Sequence, residues 1–341
     1  MNRFVLCLFL VLSSIIVCVS CGKGIENPYC PCFEISEPEV KENFVGIDNI
    51  SFENYPKVDG STSARALNTM VACKLLNLRY GWVGGVSGFE WGVSFFWEDM
   101  PEENMDFEKF WDFWEEHIKT SQTHGAFMNL IDGVADIILT HRTISPDEKA
   151  HANAVGVTLI ETSIALDAFV FIVNKNNPVR SLTVNQVQKI FTKKITNWFQ
   201  TGGSKADIQV VTRPRNSGSE EVFRELVMGG LEPADFPDFV INPMWGVLDA
   251  IVNNTNSIAY TFYNYKELIA RRPCDEVPVL AINDICPEEK AVKNGTYPFI
   301  SEVRVAIRSN LDRNSMAYKL YDWLQSEDAK STIAECGFIP K

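Results

Sequence analysis

Residues 167–198 read DAFVFIVNKNNPVRSLTVNQVQKIFTKKITNW, and the change of rhythm inside this stretch decides the fold class. Asp167 to Val173 is a β-rich apolar run, and Asn185 to Phe191 has the spacing of an amphipathic helix. The same alternation recurs in both directions. DIILT (136–140), IQVVT (208–212), SIAYT (257–261) and VRVAI (303–307) are the other clear strands, and helices are expected over 64–76, 107–118, 220–228 and 316–326. Strands alternating with helices predict βα units and mainly parallel sheets, an α/β fold. No internal repeat or low-complexity block interrupts the pattern.

The length of 341 residues fits two domains at roughly 150 residues each. With 46% apolar and 22% charged residues, the composition excludes a disordered chain, a collagen-like repeat and a small disulfide scaffold. A net charge of −13 argues against nucleic acid or an anionic membrane surface as the main partner, since both attract a basic face. Any anion bound here must therefore be held by a local site.

The first twenty residues form a secretory signal. Arg3 supplies a short positive region, Phe4 to Val19 is almost wholly apolar, and Ser20 is the small residue before a cleavage point. Cys21-Gly22 follows, so the junction resembles a bacterial lipobox, although Cys18 stands where lipoboxes usually carry Leu. Cys21 is the expected lipidation site, which makes the mature chain a membrane-anchored envelope lipoprotein. A transmembrane anchor would need roughly 20 apolar residues, more than this segment has. Residues 21–50, rich in proline and mixed polar residues, read as a linker from the lipid to the fold.

In an oxidising setting Cys30, Cys32, Cys73, Cys274, Cys286 and Cys336 remain to pair, and sequence does not choose among fifteen pairings. Cys274 and Cys286, flanking VPVLAI, are the expected pair. Cys30-Pro-Cys32 has no partner cluster at zinc spacing and reads as part of the tether. No metal or other cofactor is expected.

Between Tyr80 and Trp114 lie Trp82, Trp91, Trp97, Trp111 and Trp114. Phe107, Phe110, Trp111, Phe113, Trp114 and Ile118 have the spacing of a helix that buries one face, so core packing is the first reading. The glycines at 81, 84, 85, 88 and 92 mark the earlier part as a loop or insertion, where aromatic rings can also meet a partner.

Three places share one design, in which a run of Ser, Thr and Gly leads into a helix. These are Ser61-Thr62-Ser63 after Asp59-Gly60, Ser121-Gln122-Thr123-His124-Gly125, and Arg213-Pro214-Arg215-Asn216-Ser217-Gly218-Ser219. A helix start exposes unpaired N–H groups and the positive end of the dipole, hydroxyls add donors, and glycine lets backbone approach, so each loop can cradle an oxyanion. Arg213 adds a bidentate charge. Taken singly, each loop is also an ordinary helix N-cap.

The segment LTVNQVQKIFTKKITNW (182–198) with Gly202-Gly203 closely resembles the motif LT-x-x-Q-x-x-x-IF-x-x-KITNW of the phosphate-binding proteins that serve bacterial phosphate ABC transporters. DAFVFIVNKNNPV before it, Arg213-x-x-x-Ser217-Gly218-Ser219 after it and GFIP (337–340) continue the likeness, which covers about residues 55–79 and 121–341. The resemblance implies a class II periplasmic-binding-protein fold, two α/β domains joined by two crossing strands around a ligand cleft. Crossings near Leu166 and Tyr260 would place residues 51–166 and 261–341 in one domain and 167–260 in the other. It also implies phosphate ligands at Thr62, Ser63, Thr123, Arg213, Ser217, Gly218 and Ser219, an ABC transporter permease as partner, and a monomer. Many family members carry an aspartate after the strand equivalent to DIILT, where it accepts the proton of hydrogen phosphate. Here Thr140-His141-Arg142 stands in its place, so Ser61, Thr140, His141 and Arg142 are further candidates and selectivity over sulfate is open. Asp59 is a possible substitute acceptor or a turn residue.

Two readings from other classes compete with solute capture. A hydrolase would use Ser217 as nucleophile with His124 or His141 as base, but no G-x-S-x-G elbow is present. An envelope lipoprotein of the same fold would bind a protein or glycan through the aromatic insertion. His117, on the amphipathic helix, and His151 have no zinc-site spacing with the others.

Overall fold

The computed structural model describes residues 30, 44–84, 91–95, 107–242, 244–270 and 276–341. The expected signal segment and Cys21 lie outside these residues. In chain order, β1 (Val58–Gly60) leads through a 3-10 turn at Thr62–Ala64 into α1 (Arg65–Leu75), followed by a hairpin of β2 (Tyr80–Gly84) and β3 (Trp91–Phe95). Next come α2 (Phe107–His117), α3 (Gln122–Ile131), β4 (Ile137–Thr140), α4 (Pro146–Ala154) and the long β5 (Leu159–Val173). The middle of the chain forms β6 (Ser181–Leu182), α5 (Val184–Phe191), β7 (Gln209–Val210), α6 (Gly218–Val222), α7 (Met244–Asn253) and β8 (Ser257–Phe262). β9 (Ala281–Ile282), α8 (Glu289–Lys293), β10 (Ile300–Arg308), α9 (Met316–Trp323), α10 (Glu327–Glu335) and β11 (Ile339–Pro340) complete it.

The main sheet has the order β1-β4-β10-β5-β8-β7, with β11 also on β5. Only β1–β4 and β7–β8 are parallel within it; β10 runs antiparallel to both β4 and β5, and β8 is antiparallel to β5. The expectation of mainly parallel sheets is corrected here to a mixed sheet. The physical cause is β5, whose 15 residues carry β10 along Leu159–Ala168 and β8 along Phe169–Val173, so the chain returns antiparallel at each end.

β5 also connects two cores. Ile164 and Ala165 pack with α1, β4, β10, α9 and α10, whereas Ala168 to Val173 pack with α5, α7 and β8. Partial burial gives way there to an unbroken apolar run, which is what a strand covered on both faces requires. Residues 261–341 were expected entirely in the first domain. Instead Tyr265, Ile269, Val277, Leu280, Ile282, Tyr297 and Phe299 belong to the second core. After β8 the chain stays beside the end of β5, with Leu280 N donating to Phe171 O and β9 pairing with β6, and it leaves only at β10.

The disulfide joins Cys30 to Cys286, with Cα atoms 5.4 Å apart, in place of the expected Cys274–Cys286 pair. Cys30 is buried in the second core, so the supposed tether is fastened to the fold well before residue 50. Cys73 and Cys336 are buried free thiols, while Cys32 and Cys274 lie outside the described residues. The later linker residues also pack: the Phe44 ring meets Trp323 edge-on, and Trp323 Nε1 donates to Val45 O.

The aromatic segment is a hairpin and a helix. Phe110 and Phe113 are buried, and Phe95 packs against Phe110 and Trp114 with ring centroids 4.6 Å apart in each case. Trp111 lies on the outer face of α2, its Nε1 donating to Glu115. None of the described helices is long and apolar enough to cross a membrane.

Candidate functional site

The first wall of the site is built by β1, β4 and the loops that follow them. Asp59 is fully buried and ties the first two loops together. Its Oδ1 accepts from Gly60 N and Ser121 N, and its Oδ2 accepts from Asn129 Nδ2 at 2.7 Å. Asp59 thus links the first two loops from inside the fold. A β-carbon on Gly60 would collide with Leu139 O, so only glycine lets β1 leave the sheet this close to β4.

Behind the first loop, Ser63 Oγ lies 2.9 Å from His141 Nδ1 and 3.2 Å from Ser61 Oγ. All three side chains are buried, while Thr62 is only partly covered. His141 packs against the rings of Phe262 and Phe338, and its Nε2 stands 3.6 Å from Oδ2 of the buried Asp167. Thr140 Oγ1 donates to Arg142 O at 2.9 Å, which engages the hydroxyl's only proton locally.

Arg142 is turned into the first half of the molecule. Its NH1 and NH2 grip the two oxygens of Glu148 at 2.8 and 2.7 Å, and the guanidinium lies over the Phe127 ring. Glu148 is completely buried and also receives Ser145 N and His124 Nδ1, the latter at 2.9 Å. The positive charge of Arg142 is thus balanced inside the fold.

The second wall differs. Ser217 caps α6, accepting from Glu220 N at 3.3 Å, and the helix continues through a π-helical turn over Phe223–Met228. Helical structure therefore begins at Gly218, two residues before the expected start. Arg213 donates through NH1 to Ile241 O at 2.8 Å and through Nε to the buried Ser219 Oγ at 3.3 Å, and its backbone N donates to Tyr260 OH. Among the described residues no carboxylate stands at ion-pair distance from this guanidinium. Burial holds Arg213 below the usual arginine range, opposed by the nearby Tyr260, Tyr265 and Glu220. Glu220 is itself engaged by Tyr260 OH and by Arg224 Nε at 2.7 Å, and burial raises it above the ordinary carboxylate range.

The two walls meet where Gly218 abuts Thr123. A β-carbon at 218 would collide with Thr123 Oγ1, so the third loop can approach α3 this closely only as glycine. The hydrolytic arrangement is not assembled: Ser217 caps its own helix, His141 contacts Ser63, and His124 contacts Glu148. Among the described residues no group of three or more His, Cys, Asp or Glu side chains is placed to hold a metal ion. Two residues of the site escaped the sequence reading. Glu148 had a usable signal, the capping box Ser145-Pro-Asp-Glu148, and Asp167 is the one charge inside an otherwise apolar run.

Comparison with known proteins agrees with this architecture. Residues 115–328 match the family model described as a PBP superfamily domain. The phosphate-binding protein PstS of Bacillus subtilis is 29% identical over 183 residues, which span 53% of this chain and 58% of that protein. A phosphate-bound putative phosphate ABC transporter substrate-binding protein from Clostridium perfringens superposes with a TM-score of 0.60 at 22% identity, covering 86% of this chain and 100% of the other. An ABC-type phosphate transport receptor from Vibrio cholerae gives 0.58 at 23% identity, covering 84% and 100%. The family match spans more than half of the chain and the superpositions agree with two α/β halves sharing a long strand, so the chain belongs to the PBP superfamily, within which it resembles the PstS phosphate-binding proteins.

Proposed function

We propose that this chain captures inorganic phosphate, or a closely related tetrahedral oxyanion, between its two halves and passes it to an ABC transporter permease. The observation that carries this reading is Arg213, a partly buried cation with no carboxylate at ion-pair distance among the described residues, set beside Ser219 where the second wall meets Thr123 of the first. Burying a charge without a counter-charge is costly, and an oxyanion held there removes that cost. Thr62, Thr123, Ser217, Gly218 and Ser219 supply neutral donors around it, and the Ser63 hydroxyl, 2.9 Å from His141 Nδ1, completes the cradle. The names of the relatives, which are binding proteins rather than enzymes, support the same reading. The protein works as a monomer in the cell envelope, anchored through the acylated Cys21.

Isothermal titration with phosphate, sulfate, arsenate and molybdate tests the ligand. One phosphate bound per chain, in preference to molybdate, is the expected result; no heat and no thermal stabilisation at millimolar phosphate would sink the proposal. Fractionation of cells carrying Cys21→Ala tests the anchor, which requires that the variant leave the membrane fraction.

A further inference from the structure

We infer that Asp167 and His141 form a buried relay that fixes Ser63 Oγ as a hydrogen-bond acceptor, so that the site selects oxyanions that still carry a proton. The inference rests on the phosphate-binding reading for the ligand but not for the relay itself. Among the buried polar atoms of the described residues that have no hydrogen-bond partner are His141 Nε2 and Asp167 Oδ2, which stand 3.6 Å apart and face each other. The other carboxylate oxygen, Oδ1, accepts from Ala168 N at 2.8 Å and Asn264 N at 3.2 Å, so the carboxylate cannot turn away. A carboxylate offers only lone pairs, and a bare imidazole nitrogen facing it would add lone-pair repulsion in a dry place. The proton of the neutral ring therefore sits on Nε2.

The consequence passes through the ring. With Nε2 protonated, Nδ1 presents a lone pair, and the group 2.9 Å from it is Ser63 Oγ. Ser63 must then donate its single hydroxyl proton to His141. Its oxygen keeps two lone pairs, one within reach of Ser61 Oγ at 3.2 Å and the other free for a ligand. A ligand P–OH can donate to that oxygen, whereas a fully ionised sulfate brings only lone pairs and is repelled. His141 thus acts as a positioning residue, and the acceptor is a serine hydroxyl in place of a carboxylate.

The sharpest test is Asp167→Asn. The two N–H donors that hold Oδ1 keep the amide oxygen in that place and leave the NH2 group facing His141 Nε2. The ring must then accept at Nε2 and carry its proton on Nδ1, and Ser63 turns its O–H toward the ligand. Nitrogen-15 NMR of the imidazole in the ligand-free protein at mild alkaline pH reads the tautomer directly. Wild type should show the proton on Nε2 alone, and Asp167→Asn should show it on Nδ1. Titration of both proteins should show the phosphate-to-sulfate affinity ratio falling at least tenfold in the variant.

Ser63→Ala gives an independent reading that does not depend on how Asp167→Asn folds. It should weaken phosphate while leaving sulfate unchanged or stronger, and Ser63→Thr should restore the preference. A proton on Nδ1 of wild-type His141, alone or with Nε2, overturns the relay. So does an equal loss of both anions in Ser63→Ala, which would make Ser63 a plain donor. Wild type that binds neither anion yet shows the Nε2 tautomer sinks the ligand assignment and leaves the hydrogen-bond polarity standing.

Discussion

Arg142 and Arg213 belong to opposite walls of one site, and their surroundings differ most in how the charge is met. Arg142 is clasped by a buried glutamate through two hydrogen bonds, whereas Arg213 is offered a carbonyl and a hydroxyl, and among the described residues no carboxylate stands at ion-pair distance from it. The lesson is that an arginine near a candidate anion site reports on ligand binding only after its internal charge balance is known. Arg142 holds the first wall together; Arg213 is the charge we propose for the anion.

Breaking the satisfied pair should have the largest effect, and on folding. Glu148→Ala leaves the Arg142 charge buried without compensation and should cost about 3–5 kcal/mol in urea unfolding. A loss below roughly 1 kcal/mol, the range of an exposed pair, would mean that water reaches Arg142.

Arg213→Ala should act the other way, with folding stability retained or slightly raised because a partly buried cation has been removed. Phosphate affinity should fall by about 2–5 kcal/mol in calorimetry, the range for truncating one partner of a buried charged pair. Lys at 213 should recover only part of the loss, since it keeps the charge but not the planar fork. Wild-type affinity in Arg213→Ala would transfer the role to Arg215, which is exposed and paired with Glu232.

Contact between the walls gives a smaller effect. Gly218→Ala should weaken phosphate by about 1–3 kcal/mol, the cost of overpacking, because its methyl group collides with Thr123 Oγ1. In a Thr123→Ala background the same change should cost less. Additive losses in the double variant would show that the walls do not meet in the bound state.

The smallest expected effect is a pH slope. Burial is the leading cause that raises Glu220, so the folded protein holds this proton more tightly than the unfolded chain does. The burial cost is absent below the ordinary glutamate range and grows as pH rises through that range to the raised value, so this residue lowers stability with increasing pH. Glu220→Gln should flatten the stability profile from the ordinary glutamate range, near about pH 4, upward relative to wild type. An identical slope in the two proteins would show that Tyr260 and Arg224 offset the burial in full.

How far the sequence could be read varies with the range of the interaction. The helix starting at Val184 announces itself through Thr183 and Gln186, which form a capping box within four residues. The third loop is equally local, with Ser217 capping α6 and Gly218 beside it. IQVVT was read as a five-residue strand, yet only Gln209 and Val210 pair with β8 in the ladder, because Thr212 turns to the segment at Val240, its N–H donating to Phe239 O and its carbonyl accepting from Ile241 N. The hairpin of β2 and β3 escaped notice because its glycines read as loop.

The sequence by itself determined the alternation of strands and helices, the three hydroxyl- and glycine-rich loops and the presence of an arginine in the third. These depend on side-chain and backbone chemistry within a few residues, where propensity and capping act. Only the tertiary structure decided which arginine lacks a counter-charge, that Cys30 joins a cysteine 256 positions away, and that Ser63 meets a histidine 78 positions away, itself beside Asp167. Charge compensation and hydrogen-bond polarity are set by whatever shares a dry space, and the folding of β5 between the two cores fixes which groups do.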